Sequence, residues 1–145
     1  MLRQAADDDR LLTRFIEELV RIEGPVRALS RMTTREVELG GKLLPAHAPM
    51  LLLFASGNDD ETEFACPREF DVNRGNLARH VGFGSGPHRC IGSALARMEL
   101  KVAARELIKR LDNFRLEIRV DQVRFMPTVA TRTIAALPVS FVRRQ

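Results

Sequence analysis

The sequence predicts an α+β fold on three observations. Residues 10–23 and 93–111 repeat apolar side chains at helical spacing, short strand-like runs separate and follow them, and a long polar meander lies between. The 145 residues suit one domain, taken as 1–145. Hydrophobic residues make up 45% and charged ones 29%, a globular balance that argues against a disordered tail.

The first helix starts after the acidic Asp7–Asp9, where the macrodipole favours negative charge, and stops at Gly24-Pro25. At about 100° per residue, Leu11, Phe15, Leu19 and Ile22 share an apolar arc with Leu12, Ile16 and Val20. Strand-like pieces follow at Leu29–Thr33, Val37–Leu39, Leu43-Leu44 after a Gly40-Gly41 turn, and Met50–Phe54. From Ala55 to His80 the pattern dissolves, and so long a stretch without clear elements usually has a functional reason. A glycine-rich loop, 83–92, opens into a helix over about Ser93–Leu111, with Leu95, Met98, Val102, Ala103, Leu107 and Leu111 expected on its buried side. The tail reads as β, clearest at Arg115–Val120 and Thr133–Val142.

Composition narrows the function classes. The net charge is +4, from 23 Lys+Arg against 19 Asp+Glu, and the cations are interleaved with acids. With no Trp or Tyr there is little to stack on bases, so nucleic-acid binding is not expected. The longest apolar run, Met50–Ala55, is far short of the ~20 residues of a membrane helix. The opening MLRQAADDDR has no apolar signal region, and Cys66 and Cys90 form no CxxC. A reducing cytoplasm is the expected compartment.

Cys90 has the most informative surroundings. It stands just before a helix start, where free amides and the dipole stabilise a thiolate, and Gly84, Gly86 and Gly92 bracket it. Glycines at that density let backbone approach a flat ligand. A soft anionic sulfur on a pinned loop is what a haem-thiolate iron requires, and His88 could donate to an anionic group such as a propionate. The residues alone leave two alternatives: a lone Cys near a helix start is often a small buried hydrophobe, and a GxG loop could cradle phosphate. Neither G-x-G-x-x-G nor G-x-x-x-x-G-K-[ST] occurs, however. Glu18 and Arg21, three apart, would suit a partly buried ion pair, while Glu17 and Arg21 would make an equally good surface pair.

Phe83-Gly-x-Gly-x-His88-x-Cys90-x-Gly92, running into Leu95-Ala96-Arg97, closely resembles the cysteine-ligand loop of cytochrome P450s. Glu18-x-x-Arg21 is similar to their K-helix pair. Phe64-x-x-Pro67-x-x-Phe70-Asp71-x-x-Arg74 is similar to the meander whose Arg completes an ion triad with it. The order and separations match, and the soluble bacterial type is the nearest match.

The resemblance implies the C-terminal portion of the P450 fold: K-helix, short β-strands, meander, Cys-ligand loop, L-helix and C-terminal β-strands. It implies a haem-thiolate monooxygenase inserting one oxygen of O₂ into a small organic substrate. Cys90 would be the proximal ligand of haem b iron. Phe83 would shield the sulfur, and Gly82, Gly84, Arg89, Gly92 and Ala96 would line the proximal face. His88 and Arg31 would pair with propionates, and Glu18, Arg21 and Arg74 would be structural. Val26, Arg27, Ala28 and Leu29, with the stretch around Thr128–Thr133, would contact substrate, and Cys66 matches no family ligand. Electrons would come from NAD(P)H through a ferredoxin-type donor docked on a basic face of Arg89, Arg97, Lys101, Arg105 and Lys109.

The oxygen-activating I-helix, with its A-G-x-x-T motif, has no counterpart in the sequence, so the chain is expected to be the haem-binding C-terminal part of such a domain. The alternative is a truncated, non-catalytic haem-binding fragment.

Overall fold

The structure is a computed structural model that describes residues 2–144; Met1 and Gln145, the ends of the expected 1–145 domain, lie outside the described residues. A short helix α1 (Leu2–Ala5) leads into α2 (Asp9–Glu23). There follow β1 (Leu29–Met32), β2 (Val37–Leu39), β3 (Lys42–Leu44), β4 (Pro49–Leu52) and α3 (Phe54–Asn58). The meander then holds only a 3₁₀ turn at Leu77–Arg79. After a second 3₁₀ turn, Gly86–His88, come α4 (Ser93–Arg110), β5 (Leu111–Leu116), β6 (Arg124–Phe125), β7 (Ile134–Ala136) and β8 (Val139–Arg143).

α2 starts where its sequence says it should. The Asp8 carboxylate accepts the Leu11 amide at 3.0 Å, satisfying one of the donors that a helix start leaves free. Leu12, Ile16 and Val20 are buried and join Ala5 and Ala104 in the core, with Leu11, Phe15, Phe83 and Leu100 packed around them. α2 is thus the central post, covered by α4 on one side and by the meander on another.

The strands form four antiparallel pairs, β1–β4, β2–β3, β5–β8 and β6–β7. In β1–β4, Leu29 stands opposite Leu52 and Met32 opposite Pro49. The expected strand Met50–Phe54 ends early: β1 offers no partner beyond Leu29, and the Gly57 amide turns back to the Leu53 carbonyl at 3.0 Å, opening α3. The expected Arg115–Val120 strand lies several residues earlier, at 111–116, and 120–122 is a 3₁₀ turn. Thr133–Val142 is two strands, broken near Pro138, which has no amide to give a ladder. The Val26–Thr131 bridge and the Arg27 and Ala28 amides on the Ala130 carbonyl lay the tail beside the start of β1.

The expected buried side of α4 is corrected. Leu95, Met98, Val102 and Leu107 are 53%, 57%, 54% and 49% exposed, Ala103 is also exposed, and Leu111 already belongs to β5. Ala104 and Ile108 are buried instead, with Leu100 against the core. Apolar residues occur all round this helix, so its periodicity does not choose a face. The choice is made by α2: the small Ala104 side chain permits close approach, and Lys101 and Arg105 both reach Asp9.

Candidate functional site: the cysteine loop and its cavity

A cavity of about 920 Å³, mostly apolar, opens between α2, the β1–β4 pair, the cysteine loop and α4. It sits at the upper end of the roughly 300–1,000 Å³ range typical of small-molecule pockets. Val26, Leu29, Leu52 and Phe54 line one side, and Phe83, Cys90, Ala96 and Leu100 are among those on the other.

Cys90 is an exposed free thiol at this cavity. The alternative of a thiol sealed among aliphatic groups is therefore overturned. Its amide donates to the Phe83 carbonyl at 2.8 Å and its carbonyl accepts from Ser93 at 3.2 Å, so the residue is pinned between the loop and the first turn of α4. Gly84, at φ +69°, makes the reversal that returns the chain from Phe83 to Cys90. A methyl group on Gly92 would stand 3.8 Å from the Cys90 sulfur.

Of the other residues expected around a cofactor, Arg31, Gly82, Phe83, Gly84, His88 and Ala96 line the cavity, as do Val26 and Leu29 of the expected substrate contacts. Four residues lie elsewhere. Arg89 lines a separate groove with Arg79 and Arg97, because the loop turns its side chain away from the cavity. Gly92 is not among the lining residues. Arg27 donates to the Ile22 carbonyl at 3.2 Å, and Ala28 is buried in the protein. Val26 and Leu29 stand three apart on either side of the point where β1 begins, and the two residues between them turn elsewhere.

Behind the loop, three charged groups meet inside the protein. Glu18 is fully buried and Arg21 nearly so. Arg21 grips Glu18 with two bonds, Nε to Oε2 at 2.7 Å and Nη2 to Oε1 at 2.8 Å. Arg74 adds Nε to Oε1 at 2.9 Å, and the Asp71 amide a further bond at 3.0 Å. Both guanidiniums spend their other donors on meander and α3 carbonyls: Arg21 on Asn58 and Pro67, Arg74 on Ala65, Cys66 and Glu69. Burial on its own would raise the Glu18 carboxyl, but the bonds from Arg21, Asp71 and Arg74 outweigh it and hold the group below its usual range. Cys66 is exposed, and its carbonyl serves this network.

The surface pair Glu17–Arg21 does not form. Glu17 instead accepts two bonds from Arg97, at 2.6 and 2.9 Å, and lies 2.9 Å from His80 Nε2. Burial raises the Glu17 carboxyl, yet Arg97 and His80 together push it down to about 2. Arg97 is held charged, above its ordinary value, chiefly by Glu17, and its guanidinium lies 4.4 Å from the centre of the Phe83 ring. Within the expected basic docking face, Arg97 pairs with Glu17, and Lys101 and Arg105 pair with Asp9.

Sequence pattern gives Glu17 the wrong partner and no sign of His80 or Asn58. Asn58 is buried, donates to the Arg21 carbonyl at 3.1 Å and accepts the Val81 amide at 2.8 Å, tying the end of α2 to the start of the loop. No local pattern announces such partners, which stand 37 and 23 residues away.

The donor set fits a haem group. An exposed sulfur on a glycine-rich loop faces a large apolar space, with the basic side chains of Arg31 and His88 also at the cavity. Among the described residues no cluster of His, Cys, Asp or Glu could hold a bare metal ion, and no helix is long and apolar enough to cross a membrane.

Comparison with known proteins points the same way. The family model described as Cytochrome P450 matches residues 7–138. A steroid C26-monooxygenase of Mycobacterium tuberculosis is 37% identical over 134 residues, covering 92% of this chain and 36% of the relative. The cytochrome P450 monooxygenase PikC of Streptomyces venezuelae is 34% identical over 137 residues, covering 94% and 33%. Among solved structures, cytochrome P450 CYP109Q5 from Chondromyces apiculatus superposes with a TM-score of 0.87 at 34% identity, covering 99% of this chain and 36% of that one. The chain thus spans about a third of the length of the curated relatives it matches.

Proposed function

The chain belongs to the cytochrome P450 family, and from that premise we propose that it is the haem-binding C-terminal part of a haem-thiolate monooxygenase, with Cys90 as the axial ligand of the iron. The observation that carries this reading is the exposed Cys90 thiol facing a large apolar cavity while its own amide is held by Phe83. A haem bound there supplies the chemistry that splits O₂ and places one oxygen atom in an organic substrate, with the thiolate pushing electron density toward the iron.

What this chain's residues do follows from their places. The loop holds the sulfur at one position, so the ligand bond forms without reordering the backbone. Phe83 lines the cavity together with Cys90, so with the group bound there it would shield the sulfur. Arg31 and His88 bind carboxylate groups of a haem b, and the Glu18–Arg21–Arg74 cluster keeps the meander against α2 so that the loop is built before the cofactor arrives. Val26 and Leu29, which line the same cavity, would meet a small organic substrate there.

Electrons originate from NAD(P)H and arrive through a ferredoxin-type protein with an acidic surface. Arg89 and Lys109 are the cations of the basic set that this donor meets first, since Arg97, Lys101 and Arg105 already face carboxylates. The cytoplasm is the compartment we assign.

A second reading, a haem-binding segment with no turnover of its own, draws support from the exposed apolar residues Leu95, Met98 and Val102 of α4. The test separates the two. The chain is loaded with haem, reduced and exposed to CO. A red-shifted Soret band that vanishes in Cys90→Ser supports the ligand assignment, and an unshifted band in the parent chain overturns it. Product formation with a supplied ferredoxin system then favours the first reading, and haem binding without it the second.

A further inference from the structure

His80 touches neither the cavity nor the Glu18 cluster, yet it is buried and fully engaged. Its Nδ1 accepts the Gly82 amide at 3.1 Å, and its Nε2 lies 2.9 Å from Glu17. The Gly82 amide can only donate, so Nδ1 serves as its acceptor and leaves Nε2 to face the carboxylate. The Phe83 ring stands 6.0 Å from it, centre to centre.

We propose that His80 is a positioning residue for the Cys90 sulfur, anchoring the first limb of the loop to α2 so that the Phe83 carbonyl stays where it accepts the Cys90 amide. This rests on the reading of Cys90 as the ligand.

The geometry leaves that limb little slack. The Val81 amide is taken by Asn58, the Val81 carbonyl by Gly84, and the Phe83 carbonyl by Cys90. The Gly82 amide is taken by His80. A Cβ on Gly82 would lie 2.9 Å from both the Val20 side chain and the Val20 carbonyl, so the limb is pressed against α2. Glu17 completes the arrangement. One carboxylate holds the limb before Cys90 through His80 and the helix after Cys90 through Arg97. Both sides of the ligand are therefore referred to a single point on α2, and a loop fixed at both ends holds its apex in place.

Two substitutions distinguish this from mere packing. His80→Leu removes both bonds. His80→Asn gives up Glu17 but keeps an acceptor for the amide two residues on, the Asx-turn geometry. In the full chain before haem is added, His80→Leu is expected to speed hydrogen exchange at the Gly82 and Cys90 amides about fivefold, the factor carried by one neutral hydrogen bond, while the Val20 amide is unchanged. His80→Asn returns Cys90 exchange to about twice the parent rate or less. In the haem-loaded chain, His80→Leu shortens the lifetime of the red-shifted ferrous–CO band by a similar factor, and His80→Asn restores it.

Parent-like Cys90 exchange in His80→Leu overturns the proposal, as does an Asn variant as impaired as the Leu variant. Should His80→Leu fail to fold, the Asn variant decides: Cys90 protection kept supports the route through Gly82, and protection lost overturns it. A parent chain that gives no red-shifted band refutes the ligand reading instead, and the exchange data still judge the hold of His80 on the loop.

Discussion

Arg74 reaches back 56 residues to place its Nε 2.9 Å from the Glu18 carboxylate, which is already gripped by Arg21 from one helical turn away. One buried acid thus pairs with two buried cations, whose remaining donors go to backbone carbonyls, and the meander that carries Arg74 is fastened to α2 through it. The arrangement is fully satisfied, with no buried side-chain polar atom lacking a partner among the described residues. Removing any one member strands the others, which is the costly way to break a buried ion pair.

Glu18→Ala is therefore expected to destabilise the chain by about 3–5 kcal/mol, because two guanidiniums lose their counter-charge in a site that excludes water. Urea unfolding of the parent and variant measures this. A loss below about 1 kcal/mol, the level of a surface pair, would contradict the buried assignment.

Acid should unfold the chain partly through Glu17. Its carboxyl lies at about 2 in the folded protein against an ordinary value of 4.5, and Glu18 is lowered in the same direction. A depressed carboxyl contributes its full stability above the unfolded value and loses it as pH falls through the folded one. Stability should therefore be level above ~pH 5 on this account and decline between 4.5 and about 2. Glu17→Gln, which cannot ionise, should show a shallower decline across that window in unfolding measurements at stepped pH; an identical slope would disprove the assignment.

Two loop glycines should fail in different ways when changed to Ala. At Gly82 the new methyl meets Val20 and His80 Nδ1 at 2.9–3.1 Å, so the loop must lift from α2, at a cost of about 1–3 kcal/mol. At Gly84 there is room, with the His88 carbonyl at 3.5 Å, but φ of +69° costs a side chain roughly 1–2 kcal/mol. Thermal melts give both penalties. Haem uptake should fall more for Gly82→Ala, since only that change displaces the limb that holds Cys90.

Asn58→Ala should cost about 1–3 kcal/mol, because the half-buried Val81 amide and the buried Arg21 carbonyl each lose their partner. Hydrogen exchange at Val81 checks the cause: it should accelerate strongly, and a protected Val81 would show that another acceptor holds it.

How much of this was legible beforehand depended on distance along the chain. α2 could be placed to within a residue, since its Asp8 cap, apolar arc and Gly24-Pro25 stop lie within its own span. The Cys90 loop and the Glu18, Arg21 and Arg74 positions were legible because each lies in a compact motif. The buried side of α4 was misread, since it depends on what α2 presents to that helix.

By itself the sequence determined where α2 and α4 run, that residue 90 is a sulfur among glycines, and which family these motifs resemble. Only the tertiary structure decided that Glu17 passes over Arg21, four residues away, for His80 and Arg97, 63 and 80 residues away. The reason is physical. Backbone capping and helical periodicity are settled by neighbours within a turn or two, whereas a charged side chain pairs with whatever folding brings to its face, and that is a property of the packed chain as a whole.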